Sequence, residues 1–143
     1  MQTFLPYPNF SQSARVLDMK RLGKQRVETL QIMTALVLKT GWTSHPAVKM
    51  WAGYELALIR YQAAICFEWT DIRHYKDTCF DKTEAMFYDN SEITPLTKLE
   101  DPFWLGRPEF HESQQSNLVR KNQTYYGNLF PEVPDDLPYY WPR

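Results

Sequence analysis

The sequence predicts an all-α fold: a single domain, residues 1–143, of three to five helices with an extended N-terminal segment and a C-terminal tail. Three observations predict it. Apolar residues recur at three- to four-residue intervals along two long stretches, no alternating run long enough for a strand appears, and proline, glycine and asparagine fall where such helices would begin and end. At 143 residues, 43% hydrophobic and 15% aromatic, the chain can fill one core and is too short for two ordinary domains.

The opening MQTFLPYPNF holds Pro6 and Pro8 and is expected to be extended, because proline fixes φ and lacks a donor. Asn9 or Ser11 caps a short helix running toward Leu17. From Lys20 to Lys39, Leu22, Val27, Leu30, Met33 or Thr34, and Val37 keep a helical period, and Gly41 is expected to close the helix. Gly23 interrupts its first turns, at about 1 kcal/mol relative to alanine. Pro46 suits the first position of a second long helix, with Ser44 as its cap. Val48, Trp51, Tyr54 or Glu55, Leu58, Tyr61 or Gln62, Ile65 and Trp69 carry the period down to about Trp69. A short helix is expected around Lys82–Tyr88, a surface loop at ITPLTKLEDPF, a helix from Pro108 through Lys121 and a turn at Gly127. The proline-rich PEVPDDLPYYWPR is read as a tail wrapping the body.

Composition removes several classes of protein. No apolar run approaches the roughly 18 residues of a membrane span, and no secretion-signal pattern opens the chain, so the encoded N-terminus is expected to be the mature one. Cys66 and Cys79 have no metal-site spacing and read as reduced thiols of a cytoplasmic protein. With 5 glycines and neither GxGxxG nor GxxxxGK[ST], no phosphate loop is present. His111-Glu112 lacks a second histidine four residues on, so no metal is expected; no cofactor is expected either. No feature specifies an oligomeric state.

The net charge of −1 conceals an asymmetry: residues 1–39 carry +4 and the remainder −5. A basic segment of this kind suits an anionic ligand or a solvated helix face. Its densest part is LDMKRLGKQRVE, residues 17–28. On a helix Lys20, Lys24 and Glu28 share one stripe, and Arg21 and Gln25 form the next. Gly23 among them lets another group approach the backbone. Cations and an amide beside such a gap suit phosphate oxygens and the edge of a base, while a salt-bridged surface helix has the same spacing. His45 stands before Pro46 as a cap or a ligand contact. Tyr125, Tyr126, Tyr139, Tyr140 and Trp141 suit base stacking or packing of the tail.

At LDMKRLGKQRVE, SHPAVKMWAGYE and FHESQQSNLVRKNQTYYG the chain resembles the pyrimidine-dimer DNA glycosylase superfamily, small all-α repair proteins of the phage endonuclease V kind. The similarity runs in the same order over most of the chain. It is strongest at the N-terminal helix, at His111-Glu112-Ser113 and at Tyr125-Tyr126-Gly127. The resemblance implies an N-terminal α-amine that attacks the sugar C1′ of a damaged nucleotide and forms an imine, after which β-elimination nicks the strand. It further implies a helix glutamate that stabilises the charged sugar and moves protons, arginines on phosphates, and a nucleotide flipped from the duplex.

Two positions depart from that pattern. Met1 precedes Gln2, too large a second residue for methionine removal, so the Met1 amine itself would serve. An ungapped alignment puts Gly23 where the glutamate belongs, and Glu28 or Asp18 is then the substitute. The resemblance thus implies Met1, Glu28 and Asp18 as catalytic groups. Lys20, Arg21, Lys24, Gln25, Arg26, His45, His111, Tyr125 and Tyr126 are the expected contacts to nucleic acid or nucleotide. The partner is damaged DNA, or, in an inactive relative, a nucleotide held in the equivalent pocket; no membrane is expected.

Overall fold

Seven α-helices and no strand occur among the described residues, 1–90 and 92–142 of a computed structural model. They are α1 (Phe10–Val16), α2 (Met19–Leu38), α3 (Pro46–Trp51), α4 (Glu55–Phe67), α5 (Cys79–Tyr88), α6 (Pro108–Lys121) and α7 (Gln123–Leu129). The all-α expectation holds; the number of helices exceeds the expected three to five because one long helix is two and a further helix, α7, follows α6. Gly53, at φ +85°, breaks the stretch between α3 and α4, and its carbonyl accepts the Lys98 N–H from a distant loop at 2.8 Å. The α4 helix then loosens into a π turn, Glu68–Ile72, that carries Trp69.

Caps account for most other differences. Asn9 Oδ1 accepts the Gln12 N–H and starts α1. His45, and not Ser44, caps α3: its Nδ1 accepts the Ala47 N–H at 3.0 Å. Lys39 takes the left-handed conformation that ends α2, two residues before Gly41. Gly127 lies inside α7, in place of the expected turn, because Asn122 caps a further helix there by accepting the Tyr125 N–H.

Helix α2 packs against α3, α4 and α5. It sends Leu22, Ile32 and Met33 into a contiguous core with Trp51, Leu58, Tyr61, Ile65, Trp104 and Phe110. Through this core runs the extended N-terminal segment, with Gln2, Thr3, Phe4 and Leu5 all buried. Its polar groups are met from three sides. Gln25 Oε1 of α2 accepts the Phe4 N–H, Tyr61 of α4 donates to the Phe4 carbonyl, and Gln114 of α6 accepts the Leu5 N–H. Trp51 Nε1 donates to Thr3 Oγ1. A buried backbone requires such partners, so the course of residues 2–5 is fixed and Met1 emerges at one defined place.

The tail is tied along α6. Ser116 Oγ accepts the Leu137 N–H, Ser113 Oγ accepts the Tyr140 N–H, and Arg120 donates to the Asp135 carbonyl. Among the described residues no helix is long and apolar enough to cross a membrane.

Candidate functional site

Where the N-terminal segment leaves the core, a cavity of about 520 Å³ opens. Met1, Gln2 and Phe4 line it from the segment, Lys20, Arg21, Lys24 and Glu28 from α2, His45 from the α3 cap, Lys121 from the end of α6, and Tyr139 and Trp141 from the tail. The Lys20–Lys24–Glu28 stripe read from the helical period is therefore one wall, and the chain terminus is the facing one.

Gln25 connects the two. Its Nε2 donates to the Gln2 carbonyl and to Glu28 Oε2, both at 2.9 Å, while its Oε1 accepts from Phe4 N–H and shares the one Tyr61 hydroxyl proton with the Phe4 carbonyl. The amide is fully buried and uses both donors and both lone pairs. One side chain thus sets the start of the chain and the carboxylate of Glu28 relative to each other.

Burial raises the Glu28 carboxyl above the ordinary glutamate range; the N-terminal charge, a Gln2 backbone hydrogen bond, Lys24 and Gln25 oppose that rise. A carboxyl that holds its proton more strongly than a free one, beside the chain terminus, has the chemistry of an acid/base group. Lys121 is shifted down, by burial first and then by Arg21 and Arg120, with Lys24 adding to the effect and Glu28 opposing it. Burial and the N-terminal charge likewise lower His45, favouring the neutral ring that accepts the Ala47 N–H. His45 meets Trp141 edge-on, with centroids 5.9 Å apart.

Asp18 stands next to the cavity and outside its lining. Arg21 Nη1 donates to its Oδ2 at 3.1 Å, the buried Tyr126 hydroxyl donates to its Oδ1, and its own N–H donates back to that hydroxyl. Asp18 and Tyr126 consequently orient Arg21. Arg26 points elsewhere: it donates to Asp77 at 2.6 Å, and its guanidinium lies 4.5 Å over the Trp69 ring. The spacing already contained this result, because two residues beyond Lys24 is about 200° around a helix. His111 is buried, with Nε2 accepting the Gly106 N–H and Nδ1 donating to the Leu5 carbonyl, so it staples a loop to the N-terminal segment. Tyr125 is exposed and lies outside the cavity lining. Lys121 escaped the sequence reading because only the fold joins the end of α6 to residue 1; Tyr139 and Trp141, read from sequence as stacking or tail-packing residues, line the same cavity. Among the described residues no cluster of three or more His, Cys, Asp or Glu side chains is placed to hold a metal.

Gly23 is absent from the lining of this cavity and lies in a neighbouring groove with Met19, Val27 and Trp69, which shares Lys20, Lys24 and Glu28 with the cavity. A Cβ at this position would stand 3.0 Å from Trp69 Cη2. The indole is held in place by Tyr75, stacked at 4.5 Å, and by the bond from its Nε1 to the Lys76 carbonyl. A side chain at position 23 thus presses on the Trp69 ring, which has to give by a few tenths of an ångström to admit it. Gly23→Glu is expected to destabilise the fold by roughly 1–3 kcal/mol in urea unfolding, as overpacking does, and not to restore activity to a Glu28→Gln protein.

A family model described as pyrimidine dimer DNA glycosylase matches residues 1–83. The match includes Met1, Lys20, Arg21, Lys24, Glu28 and His45 and stops short of Lys121 and the tail. No curated protein matches the chain, and no solved structure does.

Proposed function

Since the chain belongs to the pyrimidine dimer DNA glycosylase family, we propose that it is a DNA glycosylase and abasic-site lyase whose nucleophile is the Met1 α-amine and whose acid/base is Glu28. The observation that carries this reading is the cavity itself, in which the chain terminus, one partly buried carboxyl and four basic side chains converge.

The neutral amine adds to C1′ of the damaged nucleotide as the glycosidic bond breaks, and the base leaves with its electron pair and takes up a proton. Glu28 as carboxylate stabilises the positive charge developing on the sugar. It then shuttles protons as the sugar ring opens to the imine and as C2′ loses the proton that lets the 3′ phosphate depart. Lys20, Arg21, Lys24 and Lys121 hold phosphate oxygens, with Arg21 aimed by Asp18 and Tyr126. Tyr139, Trp141 and His45 offer flat surfaces to a nucleotide that has left the base stack. Gln25 is a positioning residue; Arg26, His111 and Tyr126 have structural tasks in this reading, and Tyr125 takes no part in the cavity.

Borohydride reduction with duplex DNA carrying a single abasic site tests the reading. A covalent protein–DNA adduct is the expected result. No adduct, together with a thermal shift from mononucleotides and none from DNA, would replace the reading with a binder that keeps a nucleotide in the same cavity. The net charge of −1 supports that second reading, because affinity for duplex DNA rests on many phosphate contacts.

A further inference from the structure

Trp141 has two sides. One lines the amine cavity; the other lines a second cleft, about 710 Å³ in volume, that continues past the α3 cap. The far end of this cleft is formed by Tyr54, Phe103, Lys49 and Lys98. Lys98 is fixed twice, by its N–H to the Gly53 carbonyl at 2.8 Å and by its ammonium 4.7 Å over the Tyr54 ring. Phe103 is 46% exposed, and the Arg107 guanidinium lies 5.0 Å over its ring. Arg107 in turn donates to the Tyr140 hydroxyl of the tail, so loop and tail brace one wall together.

Aromatic rings thus follow one another from the chain terminus outward: Tyr139 and Trp141 with centroids 5.4 Å apart, then Phe103 and Tyr54 at 6.5 Å across the cleft. Placed cations beside aromatic faces are the chemistry that binds unpaired nucleotides, whose bases stack while their phosphates follow the positive charge. Four of the nine lining residues, Lys98, Phe103, Trp141 and Pro142, lie beyond residue 83 and so outside the family match.

The geometry points to this second cleft as the path of the single-stranded flank of the reacting nucleotide, making unpaired DNA on one side of the lesion part of the substrate. The identity of the strand rests on the proposed glycosylase reading; the cleft's affinity for unpaired nucleotides is separable from it. Labelled single strands carrying one tetrahydrofuran abasic analogue, which has no C1′ leaving group and forms no imine, are titrated by fluorescence anisotropy against the full chain. They bear no, two or four thymidines on the 5′ side, or the same on the 3′ side.

Lengthening one flank, and not the other, is expected to tighten binding by about tenfold, the order found for one stacked base. Lys98→Ala and Phe103→Ala are each expected to erase most of that gain with unfolding midpoints near wild type, and Lys98→Arg to retain it. An equal gain in all variants, or no gain from either flank, overturns the assignment. A flank-dependent gain that the variants lose, in a protein that forms no borohydride adduct, upholds the cleft and removes the chemistry.

Discussion

Replacing Glu28 with glutamine is expected to slow base excision by about 10²–10⁴-fold, the usual loss for a positioned acid/base, while binding of an uncleavable abasic analogue changes only a few-fold. Glutamine retains an oxygen to accept the Gln25 amide bond, so the wall of the cavity is preserved and the loss is chemical. Stability should move in the other direction. Because burial raises the Glu28 carboxyl, the folded protein binds that proton more tightly than the unfolded chain does. Ionisation therefore costs stability once the pH passes the unfolded-state value of about 4.3, and the cost is complete above the raised folded-state pKa. Thermal unfolding should find the Glu28→Gln protein at least as stable as wild type at pH 7, with the difference shrinking as the pH falls toward 4. A variant less stable at pH 7 than at pH 4, relative to wild type, would mean that the carboxylate holds the fold together, in conflict with a site kept at some cost to stability.

Gln25→Leu is the second large effect. Leucine matches the volume and removes the three bonds to Phe4 N–H, the Gln2 carbonyl and Glu28 from a fully buried position, leaving the Phe4 N–H and the Gln2 carbonyl without their partners. Each orphaned buried group costs roughly 1–3 kcal/mol, so a loss of at least about 3 kcal/mol is expected in urea unfolding. Beyond stability, adduct formation should slow more than binding of the abasic analogue weakens, because the terminus is no longer held against Glu28. Parallel losses in both readouts would reduce Gln25 to a core residue with no bearing on the site.

These two residues show how far the sequence could be read. Glu28 and the Lys20–Lys24 stripe follow from helical spacing, since one helix long enough to keep its period places them without help from the rest of the chain. Helix α6 is legible for a similar reason, with Pro108 marking its start. The break at Gly53 is hidden because the apolar period from Val48 to Trp69 continues across it; the loop that supplies Lys98 to the Gly53 carbonyl is 45 residues away. Gln25 reads as one more polar residue on a cationic face, and its burial becomes visible only once residues 2–5 are threaded through the core. The kinship in sequence pointed to Gly23 as a missing acid, whereas Trp69 occupies the space beside it and Glu28, five residues on, faces the terminus. His111 and Tyr126 belong to the similar motifs and serve the scaffold: one staples the N-terminal segment, the other aims Asp18 at Arg21.

The most direct measurement is peptide mapping of the borohydride-reduced adduct by mass spectrometry. The account predicts the reduced sugar on the peptide that begins at Met1, attached through the α-nitrogen, and no adduct when that amine is acetylated. Attachment to Lys121, Lys20 or Lys24, or an undiminished adduct on the acetylated chain, would contradict it.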